Sequence, residues 1–112
     1  LKLTIGSSYL RGYASNWNFS NIRSQTFTIY ADAAYTNRLG TCSFGGSSNS
    51  GRYSLSSDLT LEIPTSVTTI YFVYKSDGNS NNYTYSATIS VDDLKAADNG
   101  TTKDLIFTRK KN

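Results

Sequence analysis

The stretch Tyr83-Thr-Tyr-Ser-Ala-Thr-Ile-Ser-Val91 alternates without a break. Tyr83, Tyr85, Ala87, Ile89 and Val91 fall on one side, and Thr84, Ser86, Thr88 and Ser90 on the other. Side chains of a strand point alternately to its two faces, so this pattern predicts a strand with one buried face and one wet face. The same period appears elsewhere. Leu1, Leu3 and Ile5 alternate with Lys2 and Thr4, and Phe27 and Ile29 with Thr26, Thr28 and Tyr30. Leu59, Leu61 and Ile63 alternate with Thr60 and Glu62 before Pro64 ends the run. Val67 to Lys75 is β-branched and aromatic on both sides, which predicts a central position in a sheet. Leu105-Ile-Phe107 closes the set, and weaker strands are expected at Ser8–Tyr13, Leu39–Phe44 and Arg52–Leu55. Gly, Ser and Asn fill the stretches 43–51 and 77–82, which read as turns. Short strands at this spacing predict an all-β fold, an antiparallel β-sandwich of about 7–9 strands. One short helix is expected near residues 91–98. Ser90-Val-Asp-Asp93 has the spacing of a capping box, Leu94-Lys-Ala-Ala97 favours helix, and Asn99-Gly100 supplies the stop. Such a helix would cross between the two sheets.

At 112 residues and 12.3 kDa, residues 1–112 read as a single domain. A chain of this size buries about two-thirds of its unfolded surface, enough for one core without a metal or a disulfide. His and Met are missing, and Cys and Pro occur once each. Without His there is no Ser-His-Asp or Cys-His nucleophile and no His-ligated zinc. We therefore expect no enzyme, no catalytic residues, no cofactor and no metal site. Lone Cys42 has no disulfide partner within the chain and reads as a small buried apolar residue. The net charge is +3, with an isoelectric point near 9.0. Lys2, Arg11, Arg23, Arg38, Arg52 and Lys75 are scattered, and only Arg109-Lys-Lys111 forms a run, read as a solvated tail or the start of a linker. No nucleic-acid partner is expected from this distribution. The longest apolar-rich stretch, Ile70-Tyr-Phe-Val-Tyr74, is too short to span a bilayer. A chain that begins at Leu1 reads as a domain cut from a longer secreted protein.

Trp17 is the single Trp and lies in the polar context Asn16-Trp-Asn-Phe-Ser20. Two readings stand. The indole plugs one end of the sandwich, since Trp buries a large apolar area. Alternatively it forms a ligand platform: an aromatic face suits the apolar face of a sugar ring, and Tyr13, Asn16, Asn18 and Arg11 supply polar groups for hydroxyls. Tyr71 and Tyr74 cannot share a strand face, so one is expected inward and one outward. Asp77, Asn79 and Asn81 have the first offsets of a calcium loop, but Asn82 and Thr88 stand where its glycine and its bidentate acid belong. The segment reads as a polar hairpin.

Tyr30-Ala-Asp-Ala-Ala-Tyr-Thr-Asn-Arg-Leu-Gly-Thr41 resembles the strand-turn-strand of tandem bacterial surface immunoglobulin-like (Ig-like) domains. Gly51-Arg-Tyr-Ser-Leu55, Ser66-Val-Thr-Thr-Ile-Tyr71 and Lys75-Ser-Asp-Gly-Asn79 continue the likeness, which covers roughly residues 25–91 and ends where the capped helix begins. It implies an Ig-like sandwich acting as a structural or adhesive module of a secreted or cell-surface protein, partnered by neighbouring domains of the same protein. Tyr9-Leu-Arg-Gly-Tyr-Ala-Ser-Asn-Trp17 and Tyr71-Phe-Val-Tyr-Lys-Ser-Asp-Gly78 are similar to strands of starch- and glycogen-binding modules. That second likeness implies the same kind of fold with a glycan ligand at the platform around Trp17.

Overall fold

The computed structural model describes residues 1–78 and 82–112. In chain order its strands are β1 (Lys2–Ile5), β2 (Leu10–Tyr13), β3 (Phe27–Tyr30), β4 (Arg38–Cys42), β5 (Ser48–Asn49), β6 (Arg52–Ser54), β7 (Leu59–Glu62), β8 (Thr69–Lys75), β9 (Tyr83–Ser90), β10 (Lys103–Ile106) and β11 (Thr108–Lys111). Among the described residues a single α-helix, α1 (Val91–Asp98), separates β9 from β10. The strands form a five-stranded sheet in the order β11-β9-β8-β3-β4, a four-stranded sheet in the order β10-β2-β6-β5, and the pair β1-β7. They pack as an all-β sandwich. β8 lies between β9 and β3 within its sheet, as its apolar character on both faces predicts.

Alternation positions the core. Tyr85, Ala87 and Ile89 of β9, Ile70 and Phe72 of β8, and Phe27 and Ile29 of β3 are buried on the inner face. Leu10 of β2 and Leu105 of β10 meet them from the other sheet. The chain crosses from β2 to β3 through a short 3-10 turn at Phe19–Ile22, which drives Phe19 and Ile22 between the sheets. Asn18 caps this turn, its side-chain oxygen accepting from the Ser20 amide at 3.0 Å. Phe19 is the hub of an aromatic core, with ring centroids of Phe107, Tyr53, Phe44 and Phe27 at 5.4, 5.8, 6.0 and 6.3 Å. Gly12 of β2 makes room for it: a Cβ there would sit 2.5 Å from Phe19 Cζ. Rings hold Phe19 on several sides, so it cannot yield. Gly12→Ala should therefore destabilise the domain by about 1.5 kcal/mol through overpacking, read as a lower urea midpoint at unchanged slope.

The helix forms as its capping residues predict. Ser90 Oγ accepts from the Asp93 amide at 3.0 Å, Asp92 and Asp93 occupy the first turn, and Gly100 leaves the last turn at φ 93°. Val91, Leu94 and Ala97 form its buried stripe. α1 carries the chain from the five-stranded to the four-stranded sheet, and β10 then enters parallel to β2. An antiparallel arrangement throughout is therefore corrected at this one pairing. A connection long enough to reverse the path, here a helix, is what a parallel neighbour requires.

Three further expectations are revised. The described strands number more than the 7–9 read from the periodicity, because β5 and β11 are formed by polar residues with no apolar signal. The start of the Ser8–Tyr13 segment is a 3-10 turn at Ser7–Tyr9, closed by the Tyr9 amide donating to the Gly6 carbonyl at 2.9 Å. The basic run Arg109–Lys111 is no free tail. It lies in β11, in antiparallel register with Tyr83–Ser86 of β9. Sheet pairing is made by backbone groups, so a charged edge strand forms as long as its side chains reach solvent or a ring face.

Candidate functional site

The residues singled out around Trp17 divide into two places. Trp17 lies at the open edge of the sandwich, half-buried. Its ring packs at 5.1 Å from Tyr85 and 6.1 Å from Phe19, and the Arg109 guanidinium sits 5.5 Å from its centroid. Arg109 also lies 4.6 Å from the Tyr83 ring. A cation over an aromatic face is held by the ring quadrupole, which explains why Arg109 turns inward from β11. Beside the indole is a cleft of about 220 Å³ lined by Ser15, Asn16, Trp17, Phe107, Thr108 and Arg109. Asn16 thus joins Trp17, while Asn18 is engaged in its cap.

Arg11 and Tyr13 lie on the outer face of the four-stranded sheet. Arg11 Nε donates to Asp104 Oδ1 at 2.8 Å, and Arg52 Nε donates to Asp104 Oδ2 at 2.7 Å. The Arg52 guanidinium also covers the Tyr13 ring at 4.2 Å. Partial burial raises the Asp104 carboxyl. The hydrogen bonds from Arg52 and Arg11, with their charges, outweigh that and hold it below the usual carboxylate range. The cluster ties β2, β6 and β10 together with its polar groups already matched.

A third place was not singled out from sequence. The outer face of the five-stranded sheet carries Thr28 and Tyr30 of β3, Tyr71, Val73 and Lys75 of β8, and Thr84 of β9. Tyr30 stands opposite Tyr71 in the register. Tyr35, from the β3–β4 loop, stacks on Tyr30 with centroids 5.2 Å apart. Tyr35 has φ 57°, a left-handed conformation uncommon for a bulky residue. The Asp32 turn enforces it: the carboxylate accepts from the Thr36 hydroxyl at 2.5 Å and from the amides of Asn37 and Thr36 at 2.7 and 3.0 Å. The Thr36 hydroxyl, and then the Asn37 amide, hold the Asp32 carboxyl below its ordinary range. The resulting cleft, about 590 Å³, is lined by Thr28, Tyr30, Tyr35, Val73, Lys75, Thr84 and Asn112. One signal for it was in the sequence: Tyr30 falls on the polar phase of its strand, with Thr26 and Thr28.

Tyr74 turns inward, stacking on Tyr85 at 5.8 Å, while Tyr71 turns outward. Cys42 is packed against the core, and desolvation pushes its thiol up to about 12, far from the range of a reactive thiolate. Among the described residues no three His, Cys, Asp or Glu side chains converge as a metal site would require. The calcium-loop offsets at Asp77, Asn79 and Asn81 fall in part outside the described residues. Among the described residues no helix is long and apolar enough to cross a membrane. Compared with protein-family models, curated proteins and solved structures, the chain matches none.

Proposed function

We propose that the domain is a non-catalytic adhesive module, of the Ig-like kind found in secreted or cell-surface bacterial proteins. The observation that carries this reading is the uncovered outer face of the five-stranded sheet. There three tyrosines and a row of hydroxyls stand on a rigid scaffold, Tyr35 exposed and Tyr30 and Tyr71 half-buried. Aromatic side chains offer large contact area at low entropic cost, and they are enriched at interaction surfaces. The carboxylates of Asp104 and Asp32 are committed to structural hydrogen bonds, and Cys42 is held as a neutral thiol. That pattern suits a scaffold better than acid–base or nucleophilic chemistry.

The second reading, a carbohydrate-binding module centred on Trp17, has in its favour the cleft beside the indole with Asn16 on its wall. Arg109 occupies a ring face that a sugar would need, which makes it the weaker of the two. The deciding experiment is retention of domain-coated particles on immobilised extracellular polymers, both proteins and polysaccharides, under washing shear. Retention that Val73→Glu abolishes supports adhesion through the sheet face. Failure on every polymer, or turnover of a chromogenic glycoside or ester, overturns it.

A further inference from the structure

Resting on the adhesive reading, we infer that the outer face of the five-stranded sheet binds a short segment of acidic polysaccharide, built of uronic acid units. One sugar ring stacks at the Tyr30–Tyr35–Tyr71 end, and a carboxylate of the chain reaches Lys75.

Both ends of the cleft are specific in chemistry. At one end Tyr35 is clamped over Tyr30 by the Asp32 turn, and Tyr71 stands beside Tyr30 on the neighbouring strand. A pyranose presents axial C–H groups from one face and hydroxyls from its rim, which matches rings flanked by hydroxyl groups. Thr28 supplies such a hydroxyl along the cleft, and at its far end the Thr84 hydroxyl donates to the Asn112 side-chain oxygen at 2.5 Å. At that end Lys75 is exposed and takes part in no ion pair found among the described residues. Lys110, opposite Thr84 in the register, adds a second ammonium on the same face, likewise in no ion pair found among the described residues. Tyr71 and Lys75 are four residues apart on one strand, or about 13 Å, so a stacked ring and an anchored anion belong to one extended ligand.

The carboxylates near this face are already engaged. Asp32 is filled by its turn, and Asp77 receives the Asn112 amide at 3.4 Å. The strand positions that line the face carry hydroxyls, tyrosines, Val73 and lysines, with no acid among them. The surface is therefore complementary to an anionic chain and not to a basic peptide. A carboxylate matches it better than a neutral sugar because Lys75 takes part in no ion pair among the described residues.

The test uses trigalacturonic acid and its methyl ester, which share rings and differ in charge. Amide resonances of Thr28, Tyr30, Val73, Lys75 and Thr84 should shift on titration with the acid, with weaker binding at higher salt. The ester should bind roughly fivefold more weakly, and Lys75→Gln should weaken the acid by the same factor while leaving the ester unchanged. Tyr35→Asn should weaken both ligands roughly tenfold. Asn tolerates the left-handed conformation, so this variant keeps the turn and its melting temperature serves as the control. Equal affinity for acid and ester, shifts centred on the Trp17 cleft, or no shift at millimolar ligand would each overturn the assignment. If particles coated with the domain still adhere to protein polymers while this titration is flat, the glycan assignment fails and the adhesive reading stands.

Discussion

Replacing Phe19 by Ala should cost this domain about 4 kcal/mol. The ring is 2 % exposed and touches aromatic residues from both sheets and from the crossing segment. Its removal deletes the apolar area and leaves a void that rings anchored on rigid strands cannot collapse to fill. Domains of this size have total stabilities of about 5–15 kcal/mol, so the variant sits near the edge of folding. Urea unfolding followed by Trp17 fluorescence measures it. A loss under 1.5 kcal/mol would mean the core relaxes around the gap, against the close packing described. Phe19→Leu should retain most of the stability and also relieve the clash in a Gly12→Ala background. The two substitutions together should thus cost less than their sum.

Asp104→Ala should cost about 2 kcal/mol at neutral pH. It removes two charge-assisted hydrogen bonds and leaves Arg11 and Arg52 facing each other, both partly exposed and so partly screened. The effect has a defined pH dependence. The folded-state pKa of Asp104 lies below its unfolded value, so its stabilisation is fully present above the ordinary carboxylate range. It is lost as pH falls through the folded value. The gap in unfolding free energy between wild type and Asp104→Ala should be constant from pH 7 to about 5 and close progressively below about pH 4. Asp32 titrates in the same acid range but is common to both proteins and cancels in the difference. A gap that persists undiminished at pH 2.5 would show that the loss comes from packing and not from charge.

The parts of the fold that were legible in the sequence share a physical origin. β9, β8, β3 and β7 bury one face each, and burial imposes alternation, so their positions could be read directly. Helix α1 announces itself through local chemistry, since Ser90 and Gly100 satisfy its ends within a few residues. β11 leaves no such mark. Its side chains are exposed and its hydrogen bonds run to β9, more than twenty residues back. The same limit governs the candidate sites. That Asn16 would join Trp17 followed from adjacency. The capture of Arg11 by Asp104, or of the indole face by Arg109, depends on which strands become neighbours. The tyrosine face is assembled from β3, β8 and a loop, so composition could report its aromatics but not their gathering.

The parallel seam between β2 and β10 has a consequence for biosynthesis. Arg11 and Asp104 are separated by 93 positions, and β10, the strand that joins them, is made after β1 to β9. Until Lys103–Lys111 clears the ribosome, the four-stranded sheet lacks its β10 edge and the five-stranded sheet lacks its β11 edge. The apolar sides of β2 and β9 then wait with incomplete partners until β10 and β11 emerge. Assembly is accordingly dominated by distant pairings, a topology that folds slowly. During that interval the nascent chain is the species most exposed to edge-to-edge association.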